Sequence, residues 1–221
     1  MYTGIIEAVG TLSHLEKRGD GAMVRIATPA SFAVSSRVKE GDSVAANGVC
    51  LTATAIGTDT FTADVSAETM QLTCFKYYKP GSKLNLELPC TPSTHLGGHI
   101  VQGHVDGVGE IIDITPLGEA YNIWVKNPQD ISRYIALKGS ITVDGASLTV
   151  NAVKDDSFRL TIIPHSQSVL AFENWHVGNK VNLEVDVLAR YLERLILGSK
   201  TKDEAITPGV TLESLMQNGF V

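Results

Sequence analysis

The chain has 221 residues, 43% of them hydrophobic, with a formal net charge of -6 at pH 7. That acidic balance, without any Lys/Arg cluster, argues against nucleic acid or an anionic membrane as the main partner. No apolar window approaches the ~18 uninterrupted residues of a membrane helix. The opening residues have no signal-peptide pattern, and 3 cysteines without C-x-x-C pairing fit a reducing cytoplasm better than a disulfide framework.

In chain order, Ile5 to Leu15 reads as a first strand and Ala22 to Thr28 as its partner. Pro29 to Val38 has room for a short helical turn. Ser43 to Ala46 and Val49 to Ile56 are β segments broken at Asn47-Gly48, a strong hairpin signal. Phe61 to Val65 follows, and Ser66 ahead of Glu68 to Leu72 predicts a capped short helix. Lys79 to Ser82 is a turn, and Lys83 to Leu88 closes the first half. Pro89 to Gly98 has the composition of a linker. The scheme then repeats: strands at Val105 to Ile114 and Ala120 to Val125, a short helix at Pro128 to Leu137, strands at Ile141 to Val143 and Ser147 to Val153 around Asp144-Gly145. Phe158 to Ile163 leads through Pro164 into a helix at Gln167 to Phe172, and Lys180 to Val185 is the last strand. Val187 to Leu197 has helical periodicity, with Leu188, Tyr191, Leu192, Leu195 and Ile196 in one apolar stripe that asks for self-association. Ser199 to Val210 reads as a mobile tail, and Thr211 to Met216 as one further helical turn.

The repetition is literal. Gly4 to Gly10 lies over Gly103 to Gly109, and Ser43 to Thr52 over Ser140 to Thr149; in that second register Phe61, Phe75, Gly81, Lys83, Asn85, Leu86 and Glu87 fall on Phe158, Phe172, Gly178, Lys180, Asn182, Leu183 and Glu184. Some six short strands per repeat imply an all-β chain of two small antiparallel barrels, each of about 95 residues.

No dinucleotide, phosphate-loop, H-E-x-x-H or G-x-S-x-G motif is present. His95, His99 and His104 do not make a metal site, because residues five apart on a strand point to opposite faces. What remains is a recurring set of small polar and glycine residues. The first half offers Gly4-Ile5-Ile6, Cys50-Leu51-Thr52 and the run Asp64-Val65-Ser66-Ala67-Glu68-Thr69. The second offers Gly103-His104-Val105, Ser147-Leu148-Thr149 and Thr161-Ile162-Ile163-Pro164-His165-Ser166. Glycine lets a backbone approach a flat ligand, and the hydroxyls and thiol can line a wall. The same residues also suit plain turns and bulges.

Met1 to Glu7, Asn47 to Thr52, Gly97-Gly98-His99 with Gly103-His104-Val105, and Asp144 to Thr149 together resemble riboflavin synthases, from Met1 to about Leu195. The resemblance implies two similar six-stranded Greek-key barrels, over residues 1–97 and 98–186, each with a lumazine pocket. An oligomerisation helix at 187–198 would gather three chains, ahead of a tail at 199–221. The implied reaction is a dismutation of two 6,7-dimethyl-8-ribityllumazine molecules into riboflavin and 5-amino-6-ribitylaminouracil, without metal or cofactor. His104 and Ser147, with Thr149, would assist proton removal from the acidic 7-methyl group. Cys50 would polarise or add to the acceptor; its other reading is a small buried hydrophobe. Lys138 and Asp186 match a ligand contact and a supporting carboxylate. The expected grouping places Gly4, Cys50 and Thr52 in one pocket and His104, Ser147 and Thr149 in the other, the reacting pair being shared between neighbouring chains. Tyr2 stands where the family usually has Phe. A non-enzymatic lumazine or flavin carrier on the same scaffold is the alternative, and association with lumazine synthase is left open.

Overall fold

The computed structural model describes residues 1–198 and 216–219. The tail and final helical turn expected over 199–221 otherwise lie outside the described residues.

The first repeat contains β1 (Ala8–Arg18), β2 (Gly21–Ala27), α1 (Val34–Arg37), β3 (Ser43–Ala46), β4 (Val49–Ile56), β5 (Thr60–Val65), α2 (Ala67–Leu72) and β6 (Lys83–Glu87). Its strands close into an antiparallel barrel in the order β1-β2-β5-β4-β3-β6. Alternation decides which side chains enter it: Val24, Ile26, Leu51, Phe61, Ala63 and Leu86 point inward into one core. Ser66 caps α2 as its sequence suggested, its hydroxyl accepting from the Thr69 N–H at 3.1 Å.

The second repeat contains β7 (Gly107–Leu117), β8 (Ala120–Lys126), β9 (Ser140–Val143), β10 (Ala146–Thr149), β11 (Ala152–Val153), β12 (Ser157–Ile162), α3 (Pro164–Val169) and β13 (Lys180–Val185), and α4 (Val187–Gly198) follows it. Its sheet order is β10-β9-β13-β7-β8-β12-β11. The two edge strands are consecutive in the chain, so the sheet curls on itself with the topology of the first barrel. The strand expected at Ser147 to Val153 is divided at Val150-Asn151. In the first repeat the matching stretch carries a bulge between Ala53 and Ala55, so both sheets turn a corner at this point.

Other boundaries shift for local reasons. β1 starts at Ala8 rather than Ile5, and β7 at Gly107 rather than Val105, as the chain leaves Gly4 and Gly103, whose carbonyls are bonded by Ser147 and Cys50 of the opposite repeat. Tyr2 pairs with Val101 in an isolated antiparallel bridge between the repeats. α3 starts at Pro164 rather than Gln167, proline taking the first helical position where its missing N–H costs nothing. Within Pro128 to Leu137 only Ser132–Tyr134 becomes helical, and as a 3-10 turn. Its neighbours Ile131 and Ile135 are both drawn into the second core. Helix α4 has Leu188, Tyr191, Leu192, Leu195 and Ile196 exposed. No described helix is long and apolar enough to cross a membrane.

The two repeats are joined at their Asn47-Gly48 and Asp144-Gly145 hairpin tips. All four residues have positive φ, as this tight turn requires. A Cβ on Gly48 would lie 2.8 Å from the Gly145 nitrogen, and one on Gly145 would lie 2.6 Å from the Gly48 nitrogen, so the backbones meet directly. Around them runs a ring of reciprocal bonds. Asn85 Nδ2 donates to the Asp144 carbonyl at 2.9 Å, and Asn182 Nδ2 to the Asn47 carbonyl at 2.8 Å. Asn47 Oδ1 accepts from the Asn85 N–H at 2.6 Å, and Asp144 Oδ1 from the Asn182 N–H at 2.9 Å. The second side-chain atoms break the symmetry. Asn47 Nδ2 donates to the Tyr78 hydroxyl at 2.7 Å, whereas Asp144 Oδ2 accepts from Trp175 Nε1 at 3.2 Å. Amide faces acceptor in one repeat, and carboxylate faces donor in the other.

Burial pushes the Asp144 carboxyl up to about 7. Asp144→Asn would set an amide N–H against the indole N–H, and a buried unpaired donor costs about 1–3 kcal/mol. Denaturant unfolding should show a loss of that size, with part of it recovered in Asp144→Asn/Trp175→Tyr, which recreates the first repeat's pair. The raised carboxyl contributes stability that is full below the ordinary carboxylate range and lost as pH rises through about 7. The gap between wild type and Asp144→Asn should therefore narrow from pH 5 to pH 8.

Candidate functional site

Each repeat lends the other a segment. The Cys50 N–H donates to the Gly103 carbonyl at 2.9 Å, and the Ser147 N–H to the Gly4 carbonyl at 2.8 Å. A Cβ on Gly103 would lie 2.7 Å from the Cys50 Cβ, and one on Gly4 would lie 2.6 Å from the Ser147 Cβ. Only glycine allows either approach, and both residues have the positive φ that favours it. The grouping expected from the sequence is thereby corrected. Gly4 sits with Ser147 rather than Cys50, and His104 sits on the Cys50 side rather than with Ser147 and Thr149. The repeat alignment matches residues of equivalent position, but the exchange of segments puts equivalent residues in opposite sites.

The first site is a cavity of about 310 Å³ lined by Val49, Cys50, Glu68, Thr69, Leu72, Thr73, Gly103, His104 and Val105. Helix α2 supplies Glu68 and Thr69, β4 supplies Cys50, and the exchanged segment supplies Gly103 to Val105. The Tyr2 hydroxyl, buried between the repeats, donates to Cys50 Sγ at 3.1 Å. Loss of solvation holds that phenol well above its ordinary value, so it remains a donor. The hydroxyl that distinguishes Tyr2 from phenylalanine therefore has a defined partner.

The second set is related by the repeat: Gly4-Ile5-Ile6, Ser147, and Pro164-His165-Ser166 at the start of α3. Here Ser147 Oγ lies 2.7 Å from His99 Nδ1. His99 is buried, and its Nε2 has no hydrogen-bond partner among the described residues. Burial lowers its pKa, opposed by the Asp186 carboxylate. The ring is accordingly neutral near pH 7, the form able to take a proton from a serine hydroxyl. Sequence reasoning gave His99 no chemical role: the residue entered it as part of the Gly97-Gly98-His99 motif and of a rejected metal site. Among the described residues, no cluster able to hold a metal ion occurs.

The other candidates separate by direction. Leu51, Val65 and Ile162 point into the barrel cores, and Leu148 packs against the second. Thr52, Thr149 and Ile163 are exposed beside them. Asp64 reaches Arg18 at 3.6 Å across the surface, and Thr161 Oγ1 donates to Asn122 Oδ1 at 2.8 Å. Ala67 is partly covered within α2. Lys138 is exposed and stands apart from the first cavity, but its φ of 66° is unusual for a lysine; its counterpart in the first repeat is Gly41, at φ 90°. A larger cavity of about 810 Å³, between the N-terminal segment and the linker, includes Ile5, Glu7, Arg37, Cys90 and His95 but neither Cys50 nor Ser147.

A family model described as lumazine binding domain matches residues 3–89 and 102–186. A riboflavin synthase of Photobacterium phosphoreum is 46% identical over 221 residues, covering 100% of both chains. One of Bacillus amyloliquefaciens is 38% identical over 220 residues, again covering 100% of both. One of Mycobacterium bovis is 43% identical over 200 residues, covering 89% of this chain and 98% of the relative. Among solved structures, LumP complexed with 6,7-dimethyl-8-(1'-D-ribityl) lumazine superposes with a TM-score of 0.75 at 24% identity, covering 84% of this chain and 99% of LumP. The riboflavin complex of LumP gives a TM-score of 0.77 over the same coverage. These two share the fold.

Gly103→Ala tests the exchanged wall. The added methyl must push Gly103-His104 away from Cys50, so alkylation of Cys50 by iodoacetamide, followed by peptide mass spectrometry, should speed up several-fold. Gly81→Ala is the control: it also has positive φ but no neighbour within 4 Å. Equal Cys50 reactivity in all three proteins would show that the segment does not cover the thiol.

Proposed function

Since the chain belongs to the riboflavin synthase family, with two lumazine-binding domains, we propose that it joins two molecules of 6,7-dimethyl-8-ribityllumazine, one giving a four-carbon unit to the other. The products are riboflavin and 5-amino-6-ribitylaminouracil. The observation that carries this reading is a pair of sites alike in backbone and unlike in chemistry. Cys50, Glu68 and His104 belong to one; Ser147, His165 and Ile5 are their counterparts in the other. A dismutation needs two copies of one substrate held alike but treated differently, one as donor and one as acceptor. Much of the acceleration then comes from positioning, since a bimolecular encounter becomes a step between two held molecules.

In this reading Ser147, with neutral His99 behind it, takes a proton from the 7-methyl group of one lumazine, and Asp186 steadies the imidazolium that results. His104 serves the other molecule, and Cys50, hydrogen-bonded by Tyr2, faces its ring. Thr149 and Lys138 supply outer contacts. The reading invokes no metal or cofactor. The chain is an enzyme of the transferase kind, and the carrier reading is the weaker one because both sites retain polar side chains.

The finer assembly follows from rigidity. The hairpin tips lock the two repeats of one chain together, so its two sites cannot turn to face each other. We place the reacting pair between the first site of one chain and the second site of the next, in a cytoplasmic homotrimer gathered by the apolar stripe of α4. Heterologous contacts of this kind close into rings.

Steady-state conversion of the lumazine to riboflavin tests the activity directly; protein that retains a chromophore without turning it over would favour a carrier. Ser147→Ala and His104→Ala should each lower turnover more than about tenfold. Mixed after subunit exchange, the two variants should exceed either parent, because their defects fall in different sites. Persistent inactivity after proven exchange would defeat the shared site.

A further inference from the structure

Two buried carboxylates have no place in the chemistry above, yet both bind the exchanged segments. Glu184, on β13 of the second repeat, is 4% exposed. It accepts three backbone N–H groups in succession: Gln102 on Oε1 at 2.6 Å, Gly103 on Oε2 at 2.9 Å and His104 on Oε2 at 2.9 Å. Glu87, on β6 of the first repeat, is buried to the same degree. It accepts from the Thr3 N–H at 2.7 Å, the Thr3 hydroxyl at 2.7 Å and the Gly4 N–H at 3.0 Å. Among the described residues neither carboxylate has a cation as a hydrogen-bonding partner; each is bonded by the segment it holds.

A buried carboxylate satisfied by three converging donors is an expensive way to fix a loop, since its desolvation opposes folding. Burial indeed pushes Glu184 up to about 7. A merely structural loop could be held by one side-chain amide. What this arrangement adds is direction: three consecutive N–H groups on one carboxylate fix the backbone of Gln102 to His104 in position and rotation together. That segment is the wall which the second repeat contributes to the cavity containing Cys50 and Glu68.

We infer that Glu184 is a positioning residue for the first site, acting through His104, and that Glu87 does the same for the second site through Gly4 and Ile5. Each barrel thereby clamps the segment it gives to the other. The inference rests on the proposed reaction for its catalytic part, whereas its structural part can be read without any substrate.

Amide hydrogen exchange on the full chain reads the clamp itself. In wild type, Gln102, Gly103 and His104 should be protected although no strand contains them, and Glu184→Gln should speed their exchange at least tenfold while sparing Thr3 and Gly4. Glu87→Gln should do the reverse. Turnover then reads the catalytic part. Glu184→Gln should cost about tenfold in an otherwise wild-type chain and less than twofold in a His104→Ala chain, the non-additivity expected of residues acting as a unit. Equal losses in both backgrounds would reduce Glu184 to a stabilising group. Unprotected amides at 102–104 in wild type would overturn the clamp outright, even were the variants unable to fold. A chain that shows the exchange pattern but converts no lumazine would fail the reaction and leave the clamp standing.

Discussion

The contact between Gly48 and Gly145 sets the terms for the rest of the molecule. Two hairpin tips meet backbone to backbone, leaving no room for a methyl on either. Such contact is possible only if every polar group displaced from water finds a partner, and the ring of Asn47, Asn85, Asp144 and Asn182 provides them. Once the tips are fixed, the N-terminal segment and the segment after the linker must cross the seam between the repeats. They pair there through Tyr2 and Val101, and each ends against the opposite hairpin. Exchange of walls is thus the geometric consequence of docking two barrels tip to tip.

A duplicated protein that exchanges segments can be symmetric in backbone and asymmetric in side chains. The ladder partners, bulges and turns recur, while Cys50 faces Ser147 across the repeat and Asn47 faces Asp144. The seam tolerates this because each departure is matched by its neighbour: Tyr78 accepts where Trp175 donates. The sites use the same freedom for chemistry. Tyr2 lends a hydroxyl to Cys50, and His99 lends a ring nitrogen to Ser147. Both helpers lie on the crossing segments, Tyr2 in the same repeat as Cys50 and His99 in the same repeat as Ser147.

Much of this was legible in the sequence, for identifiable reasons. Alternation gave β3, β4, β6 and β13 to within a residue, and the Asn-Gly and Asp-Gly pairs marked both hairpins, because these are local properties of the chain. The repeat even aligned Asn85 with Asn182 and Glu87 with Glu184. What alternation does not show is that the outer face of β6 and β13 is covered. Asn85, Glu87, Asn182 and Glu184 alternate with the core residues of these strands, yet all four are buried. For the same reason His104 was grouped with Ser147: the repeat relates positions along the chain, whereas the site is assembled across it. His99 was visible as a letter but had no neighbour in sequence to explain it, its partner Ser147 being 48 residues away.

The central claim is that each binding site is made by both repeats of one chain. A crystal structure of the protein with its lumazine bound tests it most directly. The account predicts one ligand against Cys50 and Glu68 with Gly103 to Val105 of the same chain, and another against Ser147 and His165 with Gly4 to Ile6 of the same chain. A ligand whose contacts within a chain all come from a single repeat, in either site, would contradict it.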